Sequence, residues 1–150
     1  MNPPSSPCSG STLGLLFRQV RDAMWARMAH ELARAGHDLS FSQYITIKRL
    51  ADGPVGATEL ARTAELNPGA MTRLLDKLEA RGVLVRNPHP DDRRALVIEL
   101  TPAGQSLWQD VNACGRRVRE RALHGLSGPE RDQLLSLLAR VRDNLNDSGA

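Results

Sequence analysis

Two charged clusters in this 150-residue chain are spaced to grip a polyanion. Thr72, Arg73 and Lys77 fall on one edge of a helix-forming segment. Asp91-Asp92-Arg93-Arg94 sits between two β-branched runs. The fork of arginine matches phosphate oxygens and the major-groove edge of guanine, whereas lysine neutralises phosphate as a point charge. Such groups form hydrogen bonds and ion pairs and break no covalent bond.

Residues suited to catalysis are not arranged for it. His30, His37, His89 and His124 show no metal-ligand spacing and no H-E-x-x-H pattern. A glycine-rich phosphate loop and a nucleophile elbow are absent from the sequence, and nothing places a Ser/His/Asp triad. No enzymatic activity, metal or cofactor is expected.

Charge adds a local signal. The net charge of +3 decides nothing alone. Residues 68–94, however, carry Arg73, Lys77, Arg81, Arg86, Arg93 and Arg94 against Asp76, Glu79, Asp91 and Asp92. Lys48 and Lys77 are the only lysines among 20 basic residues, a bias that suits phosphate recognition and equally fits a genome-wide composition bias. With 41% apolar and 25% charged residues, a one-domain globular fold is expected. No stretch approaches a membrane span. Residues 1–10 hold Pro, Ser and Gly without a basic-then-apolar leader, so they read as a flexible tail. Cys8 and Cys114 are far apart, which fits a reduced, cytoplasmic protein. Cys114 reads as a packing residue, and Cys8 in the tail is a candidate redox switch.

The positioning elements follow from periodicity and caps. Leu13, Leu16, Phe17, Val20 and Met24 predict a first long helix closed by Gly36. Ser40 with Gln43 forms a capping box, with Leu39 and Tyr44 as its hydrophobic staple, so a second helix runs from Phe41 to about Leu50. A third spans about Ala57 to Ala64. Asn67 then caps a fourth, with Pro68 at its first position. Met71, Leu74, Leu75 and Leu78 give that helix one apolar face. Two helices joined by a tight turn are a helix-turn-helix.

Beyond Gly82 the period changes. Val83-Leu84-Val85 and Leu96-Val97-Ile98 predict two strands around a polar tip. Thr101 and Pro102 open a fifth helix reaching about Leu123. After Gly125, Ser127 and Glu130 box the start of a sixth, which is expected to fray from about Asp143. Leu107, Val111, Val118, Leu134, Leu138 and Val141 need covering. The first helix can cover some, and a second subunit the rest, which predicts a homodimer.

The segment 68–81 has the dimensions of a major-groove reader. Gly69 and Ala70 allow close approach of its N-terminus to a phosphate. Arg73 is placed to read a guanine and Lys77 to clamp a phosphate. Asp76 is expected to orient Arg73 by an ion pair. Arg93 and Arg94 at the hairpin tip suit a narrow minor groove, with Asp92 fixing an arginine by a charged hydrogen bond. The candidate DNA-contacting set is therefore Asn67, Gly69, Ala70, Thr72, Arg73, Lys77, Asp92, Arg93 and Arg94.

Four pieces carry a family resemblance: Glu59-Leu60-Ala61, the run from Met71 to Gly82, Asp92-Arg93-Arg94, and Leu100-Thr101-Pro102-Ala103-Gly104. Together they resemble the MarR family of winged helix-turn-helix transcriptional regulators. The resemblance implies a mainly α fold with a two-stranded wing and long N- and C-terminal dimerisation helices. On this chain those helices are 11–36 and 102–146, around a winged helix-turn-helix region at 40–101. It implies a homodimer on double-stranded DNA with a pseudo-palindromic site, with Arg94 as the minor-groove arginine and Asp92 as its support. It also implies a repressor released by a small aromatic or phenolic ligand, held near Trp25, Tyr44 and Trp108. Some relatives sense peroxide through a cysteine at the start of the first helix, and Cys8 lies too early to match. The rival reading is a winged-helix protein–protein interaction module, in which Arg93 and Arg94 would pair with acidic groups of a partner.

Overall fold

Local signals set where the helices begin. The computed structural model describes residues 10–147. The first helix, α1 (Gly10–Arg34), starts inside the expected tail; Cys8 and the rest of that tail lie outside the described residues. Its end is a left-handed turn at Gly36 (φ 82°), where His37 N–H reaches back to Leu32 C=O at 2.9 Å. The next helix, α2 (Phe41–Leu50), carries the capping box: Gln43 N–H donates to Ser40 Oγ at 3.2 Å, and Ser40 N–H to Gln43 Oε1 at 3.0 Å.

A two-residue strand, β1 (Val55–Gly56), leads into α3 (Ala57–Ala64) and then α4 (Pro68–Ala80). The turn between these helices passes through Glu65 in the left-handed region, at φ 55°. The strands β2 (Leu84–Pro88) and β3 (Leu96–Leu100) pair antiparallel, with Arg86 opposite Ile98. β1 adds to the other edge of β3, with Val55 opposite Ile98. The expected two-stranded wing is thus the β2–β3 hairpin, and β1 extends it to a three-stranded sheet. A strand of two residues has no readable alternation; only β3 beside it makes it a strand.

Among the described residues, those up to Val118 form one compact unit and those from Arg119 onward a second. In the first, Met28 and Leu32 of α1, Ile47 and Leu50 of α2, Leu60 of α3 and the apolar face of α4 join Leu84 and Ile98 of the sheet in one core. Val111, Cys114 and Val118 of α5 (Pro102–Ala122) complete it. Full burial of one such aliphatic side chain contributes about 1.5–3 kcal/mol.

The start of α5 shows what the Leu-Thr-Pro-x-Gly run does. Gly104 N–H donates to Thr101 Oγ1 at 3.0 Å, and a Cβ on Gly104 would collide with the Val83 carbonyl oxygen. The start of α5 and the backbone just before β2 touch there, and only glycine permits it.

The second unit contains the end of α5 and α6 (Gly128–Asn146). Arg131 ties the turn between them: Nε and Nη2 donate to the Leu126 and Leu123 carbonyls, each at 3.2 Å. The helix continues past Asp143 to Asn146, and its last turn closes with Asp147 N–H on Asp143 C=O at 2.9 Å. The polar residues there remain compatible with helix geometry. Among the described residues, no helix is long and apolar enough to cross a membrane.

Candidate nucleic-acid interface

α4 is amphipathic as its spacing predicts. Met71, Leu74, Leu75 and Leu78 are buried, while Thr72, Arg73, Asp76 and Lys77 are exposed. Asn67 Oδ1 accepts from Ala70 N–H at 2.8 Å, so its carbonyl oxygen serves as the cap and its amide group remains for an outside partner. Gly69 is exposed and Ala70 half-buried. Thr72 Oγ1 donates to Pro68 C=O at 2.9 Å, which leaves it only acceptor capacity for a ligand. Arg73 and Lys77 have no hydrogen-bond or ion-pair partner among the described residues, so their charges face solvent uncompensated.

Asp76 does not orient Arg73. It accepts instead from Arg86 Nη2 at 2.7 Å, and Arg86 Nε donates to Glu79 Oε2 at 2.6 Å. One guanidinium on β2 thus joins two carboxylates of α4. The bond to Asp76 raises the Arg86 pKa above its ordinary value, outweighing the opposing effect of burial. The reason for the correction is reach. Asp76 and Glu79 are one turn apart on α4, and Arg86 on β2 reaches both carboxylates with one guanidinium.

The hairpin tip is shaped by its backbone. His89 N–H donates to Ala95 C=O at 2.9 Å, and Ala95 N–H to Asp92 C=O at 3.1 Å. Asp92 Oδ1 accepts from the Arg94 backbone N–H at 3.0 Å, not from a guanidinium. Asp92 therefore folds the turn and leaves the arginine side chains alone. Arg93 and Arg94 are exposed, and neither side chain has a partner among the described residues.

The aromatic residues divide. Trp25 and Tyr44 meet at 5.8 Å between ring centroids, and Phe41 stands edge-on to Trp25 at 4.9 Å. These three rings border an open apolar cleft of about 390 Å³ with Phe17, Met24 and Val118. Trp108 is not among its lining residues; it packs half-buried against the core. Phe41 was missed because its position at the start of α2 reads as a helix boundary. Sequence spacing could not separate Trp108 from Trp25, since the facing of one helix toward another is set by packing.

Two further groups have shifted acidities, Glu31 through an ion pair and Cys114 through burial. Arg117 Nε donates to Glu31 Oε2 at 2.8 Å, which holds the Glu31 carboxyl below its ordinary range. Cys114 is fully buried, and burial pushes its thiol pKa up despite the nearby Arg117. That environment fits the packing role expected of it. No group of three or more His, Cys, Asp or Glu able to hold a metal occurs among the described residues.

Comparison with known proteins agrees with this arrangement. The MarR family profile matches residues 45–96, from α2 to the beginning of β3. The chain is similar to the HTH-type transcriptional repressor NicR of Pseudomonas putida, 30% identical over 112 residues that cover 74% of this chain and 71% of NicR. A probable transcriptional regulator from Pseudomonas aeruginosa matches in structure with a TM-score of 0.72 at 30% identity, over 86% of this chain and 96% of that one. The transcriptional repressor CouR, solved on a 23-mer DNA duplex, matches with a TM-score of 0.75 at 28% identity, over 87% of this chain and 92% of that one. A capped helix with a free cationic edge, a wing tipped by arginines, and these likenesses together make the chain a member of the MarR family, winged-helix transcriptional regulators that bind DNA and are not enzymes.

Proposed function

We propose that this protein is a homodimeric repressor that binds a pseudo-palindromic operator and is released by a small aromatic acid or phenol. One observation carries the DNA-binding face: unpartnered Arg73 and Lys77 on α4, and unpartnered Arg93 and Arg94 on a wing that Arg86 ties to the same helix. In this reading Thr72 and Arg73 meet base edges in the major groove, and Lys77 meets a phosphate. Asn67, Gly69 and Ala70 let the helix start approach the backbone. Arg94, with Arg93, enters the adjacent minor groove, while Asp92 holds the shape of the tip. The duplex in the CouR structure and the repressor role in NicR's name support this reading.

The dimer is supported by apolar side chains left in solvent. Leu13, Leu16 and Val20 on α1 are exposed, and α6 buries no residue while exposing Leu134, Leu135 and Leu138. Residues 11–36 and 102–146 then serve dimerisation, and 40–101 serve DNA. Two-fold related copies would set their recognition helices about 34 Å apart, one turn of DNA. The cleft beside Trp25, Tyr44 and Phe41 is the effector site in this reading. A ligand there releases DNA only by favouring a dimer with the wrong spacing.

Selection of bound fragments from random DNA tests the proposal, followed by binding titrations on the selected site. A short inverted repeat, steep salt dependence and weakened binding by Arg94→Ala are expected. Equal affinity for selected and random duplexes would overturn operator recognition. Unchanged operator affinity at saturating, independently measured binding of an aromatic acid would exclude that compound as the releasing ligand.

A further inference from the structure

Arg86 is the feature that the DNA-contacting set leaves unused. It sits on β2, and its guanidinium spans Asp76 at 2.7 Å and Glu79 at 2.6 Å on α4. Its side chain is 25% exposed, against 57% for Asp76 and 41% for Glu79. The arginine is therefore the enclosed member of the trio and the carboxylates are the outer members.

Their placement gives the trio a consequence for DNA. Asp76 follows Thr72 by one helical turn and directly precedes Lys77, so it shares the exposed edge that carries Thr72, Arg73 and Lys77. A bare carboxylate on that edge would repel phosphates and compete for Arg73. The strand bearing Arg86 is fixed independently, because Arg86 lies opposite the buried Ile98 in the sheet. Pulling Asp76 and Glu79 onto that strand also fixes the distance between the groove-reading helix and the hairpin leading to Arg93 and Arg94.

We propose that Arg86 is a positioning residue for operator recognition: by pairing with Asp76 and Glu79 it masks their charge on the DNA-facing edge and locks the wing to the recognition helix. It touches no DNA itself. The inference rests on the reading of α4 and the wing as the DNA-binding face.

Two variants of the full chain attack the trio from opposite sides. Arg86→Met removes the fork and bares the carboxylates. Asp76→Asn with Glu79→Gln removes the carboxylates and frees the arginine. Affinities for the selected operator and for a random duplex of equal length are measured across a salt series. Both variants should lower the operator-to-random affinity ratio by about tenfold, because both release the wing from the helix. Their effects on random DNA should be opposite, weaker binding for Arg86→Met and tighter for the carboxylate variant, because the local charge changes in opposite senses.

A ratio unchanged in either variant would overturn the inference. So would Arg86→Met lowering operator and random binding equally, the mark of a direct phosphate contact. If Arg86→Met does not fold, the carboxylate variant decides alone through its ratio. Failure of the wild-type protein to bind duplex DNA would remove the DNA-face reading and this inference together. Wild-type operator binding that is lost in Arg94→Ala, with the ratio intact in both trio variants, removes this inference only.

Discussion

The helix-turn-helix with its wing and the terminal helices solve burial differently. From α2 to β3 the apolar residues close on a core within one chain; Ile47, Leu60, Leu78 and Ile98 have no exposed surface. On the first half of α1, Leu13 and Leu16 are each 55% exposed, and on α6 Leu135 is 60% exposed. The core of the wing region closes within the chain, with Met28 and Leu32 of α1 and Val111, Cys114 and Val118 of α5 completing it. The terminal helices carry more apolar surface than a single chain covers, as is expected of segments whose remaining partner is another copy. In the proposed dimer this is a division of labour: one region is built to be rigid alone, the other to be completed by association.

The comparison can be broken most directly at the terminal helices. Leu16→Glu, or separately Leu138→Glu, should weaken dimerisation by about two orders of magnitude, because a charge would be buried in the interface. Sedimentation velocity checks this, and an unchanged far-UV circular dichroism spectrum would confirm that the chain still folds. An unaltered sedimentation profile for both variants would break the comparison, because exposed leucines on these helices would then need no partner.

The converse test lies in the finished core. Leu78→Ala should cost about 2–5 kcal/mol in urea unfolding, since it opens a cavity at a fully buried site. Gly104→Ala, whose Cβ meets the Val83 carbonyl, should cost about 1–3 kcal/mol by overpacking at the joint of strand and helix. If both proved neutral, the core would not be the rigid frame described.

Function on that frame is sharpened by two smaller changes. Arg73→Ala should weaken operator binding by about 1–3 kcal/mol and blur preference at one base position. Lys77→Ala should weaken all duplexes alike and lower the salt slope by about one unit. Equal losses on random DNA from both would remove the distinction between base reading and phosphate clamping.

The smallest effect concerns the Glu31–Arg117 pair between α1 and α5. Its folded-state carboxyl pKa lies below the ordinary 4.5, so the stabilisation is complete above that value and is lost as pH falls through the lower, folded value. The difference in Tm between wild type and Glu31→Gln should therefore shrink from about pH 6 to about pH 3. A difference independent of pH would mean that the pair acts by packing alone.

Much of the reading face was legible because its signals are local. Asn67 and Pro68 start α4 through contacts within one turn, and the spacing of Met71, Leu74, Leu75 and Leu78 sets its buried side, which leaves Thr72, Arg73 and Lys77 outside. Ser40 with Gln43 and Ser127 with Glu130 formed the capping boxes their spacing implied. Of the misassigned partners only that of Asp92, the Arg94 N–H two residues on, was local; the others lay on separate elements. Asp76 found Arg86 across a turn, Asp92 spent its carboxylate on backbone, and Val55-Gly56 became a strand only because β3 lay beside it.

The amino-acid order alone determined the helix starts, the polar edge of α4 and the arginine-tipped hairpin, because capping, side-chain period and turn chemistry act over a few residues. Only the tertiary structure decided that Arg86 bridges wing and helix, that Phe41 joins Trp25 and Tyr44 at the cleft while Trp108 lies outside its lining, and that the Leu-Thr-Pro-x-Gly run is a packing joint. Those outcomes depend on how one element faces another, and that facing is set by close packing across the whole core, which no local pattern encodes.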